Sequence, residues 1–339
     1  MFDIISIGSA TRDGFFIGVP FVFINNKRFK VDKGIALPYG SKVKVPEVVF
    51  TTGGGGTNTA VTFARQNLKT ACICRVGKDV SGEEVIRNVE AEKINTQWVQ
   101  IDKTTPTAYS VIFLTKTGER TILSYKGAGE NISEKEIPWS KIKTRWLYLD
   151  SLGGNLNLLK QALLWAHKNN IFVASNPGSG ELKNLKKHKE LLKFFDIFLV
   201  NQEEASYLTN ISYQKEKLIF QKLDQLIEGL VVMTKGPKGV SVSDGKTIWH
   251  AGVYPEKRVA DRTGAGDAFC SGFVSVFAKE KIQKNKYRSF FDKKDIEKAI
   301  KLGSANGTSV VEYIGAKTGI LTKKQAEEER WKNLKIITD

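Results

Sequence analysis

At 339 residues, with 41% apolar and 26% charged side chains, the chain has the make-up of an ordinary globular protein, long enough for one large α/β domain or two modest ones. No run approaches the ~18 apolar residues of a membrane span. The opening "MFDIISIGSA" lacks the basic region and cleavage site of a signal peptide, so a cytoplasmic protein without membrane association is expected.

The formal charge of +16 arises from 52 Lys and Arg against 36 Asp and Glu. The lysines are spread over segments such as "LKNLKKHKELLK" and "KEKIQKNKYRSFFDKKD", not gathered into an arginine stripe among aromatics. That pattern predicts a solvated basic surface and no nucleic-acid partner. Three cysteines and three scattered histidines make neither a disulfide framework nor a zinc spacing, so reduced, packed thiols are expected.

Along the chain, apolar runs of strand length alternate with helical patterns. "DIISIG" reads as a strand; after an irregular stretch come the helix "TNTAVTFARQNL" and the strand "TACICRV". Next are "RWLYLD", the helix "LNLLKQALLWAHKNN", "IFVAS", the helical "KKHKELLKFF" and "DIFLV". "NQEEASYL", the helix "KEKLIFQKLDQLIE" and "LVVMT" follow, and two further helices start at Gly264 and near Lys294. Such alternation predicts a mostly parallel sheet with helices on both faces. Residues 14–52 are β-like and aromatic-rich, and "AYSVIFL" with "RTILSY" (within 108–125) read as a hairpin turning at "TKTGE". Together they predict a small β-sheet lid on a single domain spanning residues 1–339.

Several strand ends carry chemistry. In "DRTGAGDAF", Gly264, Ala265 and Gly266 form a tight turn whose N–H groups, with the positive end of the following helix, make an anion hole. Asp267 in the first helical turn would repel that anion, which makes sense for a base that takes a proton from an attacking hydroxyl. A plain acid at a helix start is an equal reading of Asp267 taken alone. "TTGGGGTN" brings Gly54 and Asn58 to a strand–helix junction, where bare backbone and a donor–acceptor amide can meet a ligand. It lacks the dinucleotide fingerprint. Asp13, in "GSATRD", is expected at the first strand's C-terminal edge, where open α/β sheets bind ligands.

In "VNQEEA", Asn201 and Glu204 lie one helical turn apart, suited to a phosphate and a Mg²⁺-bound water, or to a helix cap. "MTKGPKGV" places Thr234, Gly236 and Gly239 at another strand end. "GVSVSDGKT" imitates a phosphate loop but has the wrong glycine spacing; Asp244-Gly245 predicts a hairpin turn.

Together the motifs and their order resemble the ribokinase-like (PfkB) family of carbohydrate and nucleoside kinases, from Ile4 to about Gly319. "RVGKDVSG" and "SANGTSVVEYIGAKT" fall where that family has similar segments, the latter as in its archaeal nucleoside kinases. The resemblance implies a three-layer α/β fold with a β lid through which homodimers often form. It implies Asp267 as catalytic base with Gly264, Ala265 and Gly266 as anion hole, and Asp13, Gly54 and Asn58 on the substrate's hydroxyls. Asn201 and Glu204 would organise phosphate and Mg²⁺, and Thr234, Gly236, Gly239 and Asn306 would line the ATP side.

Three positions depart from the pattern. Arg262 stands where Thr or Ser is usual, which argues against monovalent-cation activation. Gly55 replaces the lysine of ribokinases proper, and Asn67 occupies a helix end where glycine is common, with Asn also tolerating a left-handed backbone. The implied reaction is transfer of the γ-phosphate of ATP to a primary hydroxyl of a pentose or nucleoside. The alternatives are a kinase for a hexose or sugar phosphate, or a non-catalytic sugar- or nucleotide-binding regulator on the same fold.

Overall fold

The computed structural model describes residues 1–29, 32–115, 119–280 and 291–339. The turn expected at 115–119 therefore falls largely outside the described residues, as does most of the lysine-rich loop around 281–290.

The chain opens with β1 (Phe2–Ile7) and β2 (Thr11–Ile17), then the hairpin β3 (Val22–Asn25) and β4 (Lys33–Ala36). β5 (Glu47–Gly53) runs into α1 (Gly55–Arg65), followed by β6 (Thr70–Ile73), β7 (Arg75–Gly77), α2 (Val80–Ala91) and β8 (Gln100–Asp102). β9 (Ala108–Leu114) and β10 (Arg120–Tyr125) precede β11 (Thr144–Leu149), α3 (Leu156–Lys168), β12 (Phe172–Ser175), α4 (Ser179–Lys187) and β13 (Ile197–Asn201). α5 (Gln202–Thr209), α6 (Glu216–Asp224), β14 (Leu230–Thr234), β15 (Val240–Ser243) and β16 (Ile248–Ala251) come next. α7 (Ala265–Lys279), α8 (Lys293–Val311), α9 (Lys323–Ala326) and β17 (Ile336–Thr338) complete the order.

Nine strands form the main sheet in the order β17-β16-β15-β14-β13-β12-β11-β1-β6. It is parallel from β6 to β14 and antiparallel beyond. Alternate side chains feed two cores, as strands covered on both faces require. Ile5, Leu147, Val173 and Val231 pack with Leu159 of α3 and Phe220 of α6. Ile4, Trp146, Phe172 and Val232 pack with Phe273 of α7 and Ile300 of α8. The sheet grows on either side of β1, toward β6 one way and β11 the other, which opens a crevice at their C-terminal ends. No helix among the described residues is long and apolar enough to cross a membrane. Cys72, Cys74 and Cys270 are buried and unpaired.

A separate four-stranded sheet, β10-β9-β2-β5, takes up the β-rich segments. Its inner face carries Phe15 with Ile112 and Leu114. Three expectations need correction. β3 and β4 pair only with each other, so residues 14–52 do not all join one sheet. "TACICRV" is two strands: Cys74 leaves the main sheet, its carbonyl accepts from Gln100 N, and β7 turns to pair with β8. The helix read through "KKHKELLKFF" breaks at His188 (φ −118°, ψ 61°) into α4 and a 3-10 turn over Lys189–Phe194. Asn67 adopts φ 63°, the left-handed conformation asparagine tolerates. The Asp244-Gly245 turn joins antiparallel β15 and β16, as its sequence predicts.

Candidate active site

The crevice is built where α1 and α7 begin. Asp261, fully buried, accepts from Thr263 N and Oγ1 and from Gly315 N, which staples the turn ahead of α7 to residue 315. Gly264 then caps α7 with φ 78°, and a Cβ there would lie 2.5 Å from that of Ala316. The first-turn amides of α7 have no intrahelical acceptor and sit at the positive end of a 15-residue helix.

Asp267, half-buried, accepts a 2.8 Å hydrogen bond from Asn58 Nδ2 on α1. Burial of the carboxyl group raises its pKa above the ordinary 3.8, and the Asn58 bond partly offsets this. The other face of that amide is unspent: Asn58 Oδ1 is buried without a partner.

The glycine run explains itself by what it touches. Gly54 has φ 92°, and a Cβ on Gly55 would stand 1.8 Å from Asp150 Oδ1. A lysine at 55 therefore has no room here, because Asp150 occupies the space. Asp150 follows β11 and is buried; its Oδ1 accepts from Ser151 N while Oδ2 has no partner. Burial and nearby Asp267 push its pKa well up. Sequence reading missed it, although a carboxylate just past a strand beside β1 is the signal that strand-end logic looks for.

Asp13 also needs correction. It lies on β2 of the small sheet, opposite Ser110 of β9, not at the edge of β1. It is buried, takes a 3.1 Å bond from Thr11 Oγ1, and has its pKa raised by desolvation against the lowering effect of the Ser110 and Thr11 hydroxyls and the charge of Lys317.

Thr234, Gly236, Gly239, Ala265 and Gly266 meet around one groove of about 350 Å³, whose apolar wall includes Val253, Phe269 and Val311. Arg262 and Arg120 of β10 line it too, and Arg262 Nε lies 3.8 Å from Glu119. Asn306 does not line it. That side chain is fully buried, donating to Ala268 O and Thr62 Oγ1 and accepting from Leu321 N, so it ties α8 to α7, α1 and the segment beyond. Its neighbours Ser304, Gly307 and Thr308 supply the wall instead.

Asn201 and Glu204 form a reciprocal capping box on α5, with bonds of 2.9 and 2.8 Å, at a strand end paired with Thr234. Burial raises the pKa of Glu204. Among the described residues no three His, Cys, Asp or Glu side chains converge on a metal position.

The pfkB family carbohydrate kinase model matches residues 24–323. The chain is 29% identical over 308 residues to a ribokinase of Haemophilus influenzae, covering 88% of this chain and 94% of that protein. Among solved structures it is similar to a Methanocaldococcus jannaschii nucleoside kinase (TM-score 0.74, 22% identity, 97% of each chain). It is also similar to an Arabidopsis thaliana ribokinase complexed with ribose and ATP (TM-score 0.73, 20% identity, 97% of this chain and 98% of that one). The family model spans most of the chain, and the chain belongs to the pfkB family of carbohydrate kinases.

Proposed function

We propose that this phosphotransferase moves the γ-phosphate of ATP to the primary hydroxyl of a ribose-like acceptor, with Asp267 as general base. The observation that carries the reading is a pair of buried, unpartnered polar atoms, Asn58 Oδ1 and Asp150 Oδ2, on residues packed against Asp267 and the α1 start. Buried polar atoms are rarely left without a partner. The hydroxyls of a polyhydroxylated acceptor, each both donor and acceptor, supply the missing partners.

In the proposed step, the acceptor oxygen forms its bond to the γ-phosphorus as the bond to the β-phosphate oxygen breaks. Its proton passes to the Asp267 carboxylate, and ADP leaves. The amides at the start of α7 stabilise charge on the transferring group. Glu204 would hold Mg²⁺ through water, and the ion would supply charge neutralisation on the phosphates. The small sheet acts as a lid that keeps water from the transferring group. Its outer face exposes Val48, Phe50, Leu123 and Tyr125, which supports a lid-to-lid homodimer. A monomer in sedimentation at micromolar concentration would reject that partner.

Among acceptors, the packing favours a pentose over a nucleoside. Phe15 is buried in the inner face of the small sheet, and Phe16 and Phe21 pack on Phe113 at 6.0 and 5.2 Å, so these rings serve the sheet. Phe23 is exposed on the β3–β4 hairpin. Titration of ribose, adenosine, cytidine and fructose 6-phosphate with a non-hydrolysable ATP analogue is expected to rank ribose first. Tightest binding by the sugar phosphate, or by either nucleoside, overturns this choice.

Glu204→Gln tests the metal role cleanly, because Gln also serves at the third position of a capping box. The fold should be kept while the Mg²⁺ concentration for half-maximal rate rises about tenfold, the effect of removing one charge from a partly screened site. A lowered melting temperature with no change in Mg²⁺ response would leave Glu204 only its capping role.

A further inference from the structure

The turn over residues 235–239 joins β14 to β15 and carries Gly236, Pro237 and Gly239 into the wall of the groove, with Thr234 just before it. Gly236 and Gly239 stand at φ 56° and 92°, conformations that favour glycine and leave the backbone free. The turn's own bonds, Lys235 N to Gly239 O at 2.8 Å, Lys238 N to Lys235 O and Gly239 N to Gly236 O, are internal. They set its shape but not where it stands. Its far end rests on the next strand, since a Cβ on Gly239 would lie 1.9 Å from Ala251 O. The near end needs another anchor.

Lys235 supplies it, with the only side-chain hydrogen bonds among the described residues of the turn. Its Nζ donates to both oxygens of Glu216, at 3.2 Å each, and to Ser241 Oγ at 2.7 Å. The three donors of the ammonium are thereby spent. Ser241 on β15 is fully buried and gives its proton to Glu216 Oε1, while His250 Nδ1, opposite on β16, lies 2.8 Å away. A hydroxyl has one proton and two lone pairs, so Ser241 is filled. Glu216 opens α6, where the helix dipole favours a carboxylate. The cluster thus ties the turn to α6 and to β15 and β16, and none of its four side chains lines the groove.

We propose that Glu216 and Lys235 are positioning residues for the nucleotide: their pairing, completed by Ser241, holds the Thr234–Gly239 wall at the distance from α7 and α8 that fits ATP. This rests on the reading of the groove as the ATP site. The expected effect has a sign that charge alone would reverse. Removing the Glu216 carboxylate takes a negative charge from the neighbourhood of a polyanion, which by electrostatics tightens binding. Loss of the anchor loosens it.

The experiment titrates a non-hydrolysable ATP analogue into Glu216→Gln, Lys235→Met, Lys235→Arg and the double variant Glu216→Gln/Lys235→Met, and follows steady-state rates with D-ribose. Glu216→Gln should bind the analogue about tenfold more weakly, the scale of a lost hydrogen bond between charged groups, with KM for ATP rising alike. Its kcat at saturating ATP should stay within about twofold of wild type, since the amides of α7 are untouched. Lys235→Met should weaken similarly and the double variant no further, because either change alone frees the turn. Lys235→Arg, which keeps the charge and can fork onto Glu216, should recover most of the affinity. Lys217→Met, an exposed neighbour of Glu216, is the control for charge and should bind as wild type.

The nucleotide titration needs no acceptor, so it reads the anchor whichever acceptor is right. Unchanged or tighter analogue binding by Glu216→Gln overturns the inference. So does a lowered melting temperature with nucleotide affinity kept, which would leave the cluster a structural role only. Val253→Trp separates this outcome from failure of the groove reading, because Val253 lines the groove and is no part of the cluster. Bulk there should block the analogue. Wild-type nucleotide affinity in Val253→Trp overturns the groove as the ATP site, and the inference with it.

Discussion

Asp267→Asn is expected to keep the fold and nucleotide affinity while lowering kcat by about 10²–10⁴-fold, the usual worth of a positioned base. The amide is isosteric and its oxygen can still accept from Asn58 Nδ2, the bond that holds the carboxylate at 2.8 Å. What disappears is the capacity to take a proton. The wild-type rate carries a second signature of the same group. A base works only when deprotonated, so kcat/KM should rise with pH through the pKa of Asp267, and burial places that rise above the ordinary carboxylate range. The Asn variant should lose that part of the pH profile. Retention of a tenth of wild-type turnover, or an unchanged acid limb, would remove Asp267 from the base role.

Gly264→Ala is expected to lower kcat by about 10²-fold, as misplacement of a catalytic turn by an ångström does. Alanine at φ 78° is strained, and its Cβ would meet Ala316 Cβ at 2.5 Å and Cα at 2.8 Å. Neither neighbour is a flexible chain end, so the turn itself must shift, carrying the α7 amides away from the phosphate. The strain should cost about 1–3 kcal/mol of stability, small enough for the protein to remain folded. Rates and melts read separately check this. Full turnover with an unchanged melting temperature would show that the turn has slack and that its amides need no fixed position. Gly266→Ala is the control, since a Cβ there meets nothing within 4 Å.

Much of the architecture was legible because its signals are local. Apolar strand runs alternating with amphipathic helices announce a parallel sheet wherever they occur, since each strand's two faces must be covered by the helices that connect it. The glycine turn before Asp267 and the glycine run before Asn58 are equally local, because the backbone freedom they supply is needed at those residues. Family membership followed from their order along the chain, and the match over residues 24–323 agrees with it.

What only the tertiary structure decided concerns partners distant in sequence. Asn58 and Asp267 are 209 residues apart, and no periodicity relates them. That Gly55 makes room for Asp150, that Phe15 turns into the core of the small sheet, and that Asn306 is consumed in bracing α8 all depend on which surfaces close on one another. The same holds for charge. Lys317 reads in the sequence as one more lysine of a basic protein, yet burial lowers its pKa to about 8, and burial is a property of the surroundings and not of the residue. Sequence encodes what a residue can do by itself and with its neighbours in the chain; desolvation and through-space contact exist only once the chain has folded.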